Sequence, residues 1–172
     1  MEYLHPLHST FGTGAFLILN TGNKPVFSSH KLLTTVAYKI KGQIAYGLEG
    51  SIYHAGTTIK WLRDSMKLIT SADETEKLAQ SLESNDGVYL VSAFTGLGAP
   101  HWLSVPGASM VGLSLSSNRA HFARAALEGV GYQTREICFC MREDSQMDLS
   151  LLRVDGGMAV NRWLLQFLAD QC

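Results

Sequence analysis

Strand-like apolar runs occupy the first fifty residues of the chain, and helical spacing of apolar residues takes over after them. Ala15-Phe16-Leu17-Ile18-Leu19 predicts a strand closed by the turn Thr21-Gly22-Asn23-Lys24-Pro25, ahead of a short apolar run at Val26-Phe27. Leu32 to Tyr38 is rich in β-branched residues and predicts a strand reaching toward Ile40. The polar turn Lys41-Gly42-Gln43 then leads to a further strand from Ile44 to Leu48. Together these runs predict a small antiparallel meander. Ser51 stands as an N-cap before a helix over about 52–67, with Ile52, Ala55, Ile59 and Leu62 on its apolar stripe. A second helix is predicted over 74–83.

A short strand from Val88 to Val91 runs into a loop from Thr95 to Gly107, rich in glycine and proline, that carries Pro100, His101 and Trp102. The longest helix is predicted over 118–141, where Ala123, Ala126, Leu127, Val130, Thr134 and Ile137 share a face. After a polar loop from Glu143 to Asp148, Leu151, Leu152 and Val154 form a last strand that stops at Gly156-Gly157. Val160, Trp163, Leu164, Phe167 and Leu168 then recur at i, i+3, i+4, i+7 and i+8, one face of an amphipathic helix. The order predicts an α/β protein whose mixed sheet begins antiparallel and continues through parallel crossovers.

Three glycine sites carry candidate chemistry. The strand–Gly-Gly–helix junction at Arg153-Val154-Asp155-Gly156-Gly157 leaves backbone N–H groups at the positive end of a helix, a place that suits a phosphate. Asn161, read as about one turn into that helix, has an amide able to reach the edge of a base. Gly12-Thr13-Gly14 lets a backbone approach a ligand closely, and the Thr13 hydroxyl can donate to a phosphate oxygen. Gly56, in Ala55-Gly56-Thr57, stands inside a predicted helix, where glycine costs about 1 kcal/mol against alanine and marks close packing or ligand approach. Each site also has a plainer reading: a tight turn, a hairpin turn and helix packing.

Composition narrows the partners. The chain has 172 residues, enough for one sizeable core and too few for two typical domains. Fourteen basic against fifteen acidic residues, with no basic run, argue against nucleic acid. No apolar stretch reaches the ~18 residues of a membrane span, and the first residues lack the basic end and apolar core of a signal peptide. Cys138, Cys140 and Cys172 fit no metal or redox spacing and read as reduced thiols of a cytoplasmic protein. His5 and His8 are close, but nothing nearby completes a metal site.

Several stretches resemble the C-terminal half of the glycerol kinases, members of the FGGY carbohydrate kinases. They are Phe11-Gly12-Thr13-Gly14-Ala15-Phe16, Asn20-Thr21-Gly22, Leu32-Leu33-Thr34-Thr35, Leu48-Glu49-Gly50, Trp61-Leu62-Arg63-Asp64, Ala93 to Pro100, Gln133-Thr134-Arg135-Glu136 and Arg153 to Gly157. Ala108 through Gly112-Leu113 and His121-Phe122 to Glu128 also fits that family's second signature. The resemblance covers about residues 11–171. It sets residues 1–10 apart as a divergent segment and makes 11–172 a nucleotide-binding domain.

The resemblance implies an RNase H-like domain of the actin and hexokinase ATPase kind, a mixed sheet flanked by helices and incomplete at both ends. It implies ATP and Mg²⁺ as cofactors, glycerol as substrate, and the missing N-terminal kinase half or full-length kinase subunits as partners. Thr13 matches a phosphate contact, Gly56 and Lys60 match nucleotide-pocket positions, Gly157 matches a backbone contact to the nucleotide, and Asn161 matches a contact to the adenine region. Lys60 stands where glutamine is frequent. Phe16 matches an aromatic that packs on the carbon skeleton of glycerol.

Departures qualify that match. The family's general base is an aspartate upstream of the Gly-Thr-Gly turn, and Met1 to Phe11 contain none, so the isolated chain is expected to be inactive. Leu103 and Pro106-Gly107-Ala108 replace the family's aspartate and Ala-Arg-Gly after Trp102. Arg135 and Glu136 read as structural ion-pair candidates. The leading expectation is the ATP-binding part of a glycerol kinase. The alternatives are a fragment of another FGGY sugar or polyol kinase, or a non-catalytic truncated isoform that acts as a binding module.

Overall fold

A computed structural model describes residues 7–172; residues 1–6, and with them His5, lie outside the described part. Four strands come first: β1 (Leu7–Phe11), β2 (Ala15–Gly22), β3 (Leu33–Ile40) and β4 (Gln43–Ile52). Helices α1 (Gly56–Asp64) and α2 (Glu74–Gln80) follow, then β5 (Tyr89–Val91), β6 (Ser109–Val111) and the long α3 (Arg119–Ser145). Strand β7 (Leu152–Asp155), a 3₁₀ turn (Gly157–Val160) and α4 (Arg162–Gln171) close the chain.

The main sheet has five strands in the order β3-β4-β2-β1-β7, and β5 pairs with β6 in a separate ribbon. Pairing is antiparallel throughout the first four strands, and β7 adds parallel to β1, with Leu7 opposite Leu152. The mixed character agrees with the sequence expectation, but a simple meander does not. β2 pairs with β4 rather than with β3, so β3 is left as the edge strand.

Strand β1 was not foreseen, and it crosses the boundary drawn at residue 10. Its alternation is masked because one of its three inward positions is a serine. Leu7, Ser9 and Phe11 are buried while His8 and Thr10 face outward, where His8 pairs with Asp155 at 3.1 Å. The helix expected from residue 52 begins at Gly56 instead. Ser51 and Ile52 still belong to β4, paired with Phe16 and Ala15. The stripe Ile52, Ala55, Ile59 and Leu62 is nonetheless buried throughout. β6 also went unforeseen, in the stretch between the loop ending at Gly107 and the long helix, to which no element was assigned.

Helix α3 organises the core. It packs on β2, β4 and β5 and against the other three helices, and buries Ala123, Ala126, Leu127, Val130, Ile137 and Met141. Each large side chain so buried contributes about 1.5–3 kcal/mol of hydrophobic stabilisation. Its start is fixed reciprocally. The Asn118 side chain accepts from the Ala120 amide at 2.9 Å, and His121 Nδ1 accepts from the Asn118 amide at 3.1 Å. It ends at Ser145, four residues beyond the expected stop near 141, and its C-cap Gln146 adopts a left-handed conformation with φ 56°. Cys138 and Cys140 are both buried along it as free thiols. Arg135 and Glu136 do not pair with each other: Glu136 meets His101 at 2.9 Å and Arg135 reaches Gln171 at 3.4 Å.

Candidate functional site

The Gly12-Thr13-Gly14 turn joins β1 to β2, with Phe11 opposite Ala15, so it is a hairpin turn. It is also clamped by the start of α1. The amides of Ala55 and Thr57 donate to Thr13 O at 3.1 and 3.0 Å, as does the Thr57 hydroxyl at 3.0 Å. The Gly56 amide donates to Gly12 O at 2.9 Å. The amides that open this helix, ordinarily unpaired, are therefore spent on the turn. Thr13 itself is exposed, and its hydroxyl has no protein partner among the described residues. Gly56 is required here for space: a Cβ built on it would stand 2.4 Å from Gly12 O.

The second glycine site meets the first from β7. Gly156 has φ 94°, the left-handed region, and a Cβ there would lie 2.4 Å from Phe11 O. This pins the β7 junction against the end of β1 and carries Gly157 to the side of the Gly12 turn. A Cβ on Gly157 would meet no atom within 4 Å.

Asn161 is placed differently from the sequence reading. A 3₁₀ turn intervenes, so Asn161 is the N-cap of α4 rather than a residue one turn inside it. Its side chain is buried and committed: Oδ1 accepts from the Leu164 amide at 2.9 Å, and Nδ2 donates to Thr75 Oγ1 at 3.2 Å. Thr75 in turn donates to Ala72 O at 2.6 Å, and the Arg162 amide donates to Glu76 Oε2 at 2.9 Å. The positive end of α4 is thus capped by protein groups. Among the described residues the Gly157 amide at this junction has no hydrogen-bond partner.

These pieces enclose one cavity of about 520 Å³, lined by Thr13, Gly56, Lys60, Gly157 and Asn161. Phe11, Ile59, Leu127, Met158 and Val160 supply apolar wall, and Ala72, Asp73, Thr75 and Glu76 come from the start of α2. Phe16 lies outside it, 57% exposed on β2. The α2 wall went unforeseen. Helix 74–83 was legible, but its contact with Asn161 spans 86 residues of sequence and leaves no local pattern. Charge is divided across the cavity. Lys60 has no ion-pair partner among the described residues, whereas Arg63 holds Asp64 through bonds of 2.7 and 2.9 Å. Asp73 is held below the usual carboxylate range by the Ser71 hydroxyl and its own backbone amide.

A polar turn, an open amide and apolar walls in one such cavity can accommodate a ligand with an anionic end and an apolar body. Residues 7–172 match the FGGY family of carbohydrate kinases, C-terminal domain, and the chain belongs to that family. It is 55% identical to the glycerol kinase of Gluconobacter oxydans over 94% of this chain and 32% of that protein. It is 54% identical to the glycerol kinase of Rhodospirillum centenum over 95% of this chain and 33% of that protein. A crystal structure of Plasmodium falciparum glycerol kinase with ADP superposes with a TM-score of 0.87 at 41% identity, covering 94% of this chain and 32% of that one. A xylulose kinase from Lactobacillus acidophilus, 18% identical and covering 96% of this chain and 33% of that one, shares the fold with a TM-score of 0.81. The fold is therefore that of the sugar-kinase members of the actin and hexokinase class. The chain spans about a third of the length of the relatives it matches. No helix among the described residues is long and apolar enough to cross a membrane.

Proposed function

We propose that this chain forms the nucleotide-binding wall of a glycerol kinase, which transfers the terminal phosphoryl group of ATP to glycerol. The observation that carries the reading is the convergence of Thr13, Gly56, Lys60, Gly157 and Asn161, from three separate segments, on one cavity. Thr13 donates its hydroxyl to the terminal phosphates, the Gly157 amide and Lys60 meet the phosphate chain, and the apolar wall of Met158, Val160 and Ile59 takes the base. Asn161 serves this wall chiefly by capping α4 and fixing it to Thr75.

Phosphoryl transfer depends on positioning and on stabilising charge on the transferred group. One wall of a cleft can do the first for the nucleotide. Glycerol needs the rest of the kinase, and Phe16, exposed on the strand that leaves the phosphate turn, is positioned to pack on its carbon skeleton when that half closes. The described residues hold no group of three or more His, Cys, Asp or Glu placed for a metal ion. A magnesium ion entering here would be held by the phosphates it accompanies, and no step is assigned to it.

Thermal unfolding with rising Mg-ADP tests the reading, since a ligand of the native state stabilises it by about 2.7 kcal/mol at a hundredfold excess over Kd. Gly157→Val is the control, because a Cβ at this position meets no other atom within 4 Å and the added side chain stands at the cavity wall. A midpoint that rises with ADP in the parent chain and stays still in the variant supports the site. A parent midpoint indifferent to ADP overturns it. The same chain supplied with ATP and glycerol is expected to yield no glycerol 3-phosphate without the other half of the kinase.

A further inference from the structure

His54 sits between β4 and α1, one residue before the segment that clamps the phosphate turn. Its ring reaches away from the cavity to the loop after β5. The Thr95 amide donates to Nε2 at 3.2 Å, and the Thr95 hydroxyl lies 2.8 Å from the same nitrogen. A backbone amide can only donate, so Nε2 is the acceptor and the ring hydrogen is on Nδ1. Nδ1 is buried without a partner. The backbone of the same residue is held from both sides, because His54 O accepts from Thr58 Oγ1 at 3.0 Å and Ser92 Oγ at 3.3 Å. Phe94 meets the ring edge-on at 5.4 Å and also packs at 5.1 Å on Trp61, the neighbour of Lys60.

Thr95 and Phe94 from the loop meet the ring, Thr58 from α1 and Ser92 from the loop reach the backbone carbonyl of His54, and Trp61 from α1 packs behind Phe94; all are neutral. Nothing there compensates a positive charge, and burial lowers the pKa of His54 below the ordinary histidine value. Protonation would place a second hydrogen on Nε2, directly against the Thr95 amide. The bond to that amide must then break, although the Thr95 hydroxyl can still accept. The loop and the start of α1 lose one of the hydrogen bonds that join them, while Ser92 Oγ still donates to His54 O.

We propose that neutral His54 is a positioning residue for the phosphate turn: by accepting the Thr95 amide hydrogen it fixes the start of α1, whose amides hold Gly12 and Thr13, and its protonation releases them and weakens nucleotide binding. The proposal rests on the nucleotide reading of the cavity. His54 touches no part of the cavity itself, so its effect passes through Ala55, Gly56 and Thr57.

The test compares Mg-ADP affinity of the parent chain and His54→Gln by calorimetry between about pH 8 and pH 5, the range in which histidine changes charge. The glutamine carbonyl can take the Thr95 hydrogen bond and cannot be protonated. The parent's affinity is expected to fall relative to the variant's by up to about tenfold per pH unit below the His54 pKa, the slope for one proton. Titration of the phosphates of ADP is common to both proteins and cancels in their ratio. Parallel pH profiles overturn the proposal. A second measurement, on the parent chain alone, follows the His54 ring nitrogens and the amides of Thr95 and Thr13 by NMR through the same range. A protonated Nδ1 at neutral pH, with the Thr95 and Thr13 amides moving as His54 titrates, supports the proposal. A hydrogen on Nε2 at neutral pH, or a Thr13 amide that ignores the titration, overturns it. If the parent binds no ADP at any pH, the nucleotide reading fails, and the claimed effect on binding falls with it whatever the NMR titration shows.

Discussion

Gly56 donates its amide hydrogen to Gly12 O at 2.9 Å, and the same oxygen occupies the space that any side chain at position 56 would need. One contact therefore fixes both the angle at which α1 leaves β4 and the place of the Gly12-Thr13-Gly14 turn. Gly56→Ala puts a methyl 2.4 Å from that carbonyl, and the obstacle is backbone with nowhere to swing. The expected cost is about 1–3 kcal/mol of stability, the usual range for overpacking. The folded remainder should bind ADP more weakly because the turn has been displaced. Urea unfolding gives the first quantity and calorimetry on the folded protein gives the second. An alanine variant with unchanged ADP affinity would show that the turn and the helix are not coupled.

Asn161→Ala should act first on stability. The substitution removes the α4 cap and leaves the Thr75 hydroxyl without its donor, and caps of this kind are worth about 1–2 kcal/mol. If Asn161 instead served mainly to read a base, the variant would keep its unfolding midpoint in the absence of ligand and lose only ADP affinity. Denaturant curves without nucleotide separate the two roles.

The glycine side of the cavity was legible because glycine is a backbone statement. Gly12, Gly14, Gly56 and Gly157 mark places where a Cβ is excluded or a ligand can come close, and that shows in one dimension. The wall from α2 was not, since Thr75 and Glu76 acquire their role only by meeting Asn161 and Arg162 across the fold. The same limit explains the misplaced start of α1. Ile52, Ala55, Ile59 and Leu62 are all buried, as a helical stripe should be, but Ile52 is buried as the last residue of a strand. Local spacing could not tell these apart, because the partner that decides, Ala15, lies on another strand. β1 was hidden for a related reason, with Ser9 taking a fully buried inward position that a hydrophobic alternation would fill.

Asp144 anchors the loop before β3 to the end of α3. Its carboxylate accepts hydrogen bonds from Ser28 Oγ, from the amide of Ser29 at 3.0 Å and its hydroxyl at 2.8 Å, and from His30 Nδ1 at 2.8 Å. Burial alone would raise its pKa, but the bonds from Ser28, His30 and Ser29 outweigh it and hold the group well below the usual carboxylate range. A pKa depressed by folding means that the unfolded chain binds the proton more readily. The stabilisation is therefore complete above the ordinary aspartate pKa of about 3.9 and is lost as pH falls below it. Asp144→Asn should lower stability at neutral pH by about 1.5–3 kcal/mol, as for a hydrogen bond to a charged group. It should also flatten the pH dependence of stability below about pH 4. Urea midpoints measured across that range check both; a variant that retains the parent's acid slope would exclude Asp144 as its source.

Lys60 offers the most direct test of how charge is used in the cavity. It is exposed, unpaired among the described residues, and one helical turn from Gly56 on the wall that meets the turn. Arg63, one further position along the same face, is already held by Asp64, which lowers what it can offer a ligand. Lys60→Gln keeps length and hydrogen-bonding capacity and removes only the charge. Because the site is open to solvent, the lost interaction should be modest, within the ~1 kcal/mol of an exposed ion pair, or up to roughly fivefold in ADP affinity. Its signature is the salt dependence. Screening acts over about 10 Å at 0.1 M salt, so raising ionic strength should weaken ADP binding to the parent more than to the glutamine variant, and the two affinities should converge. Equal salt slopes in calorimetric titrations would mean that Lys60 does not meet the phosphate chain, and that the anionic end of the ligand is held by Thr13 and the Gly157 amide alone.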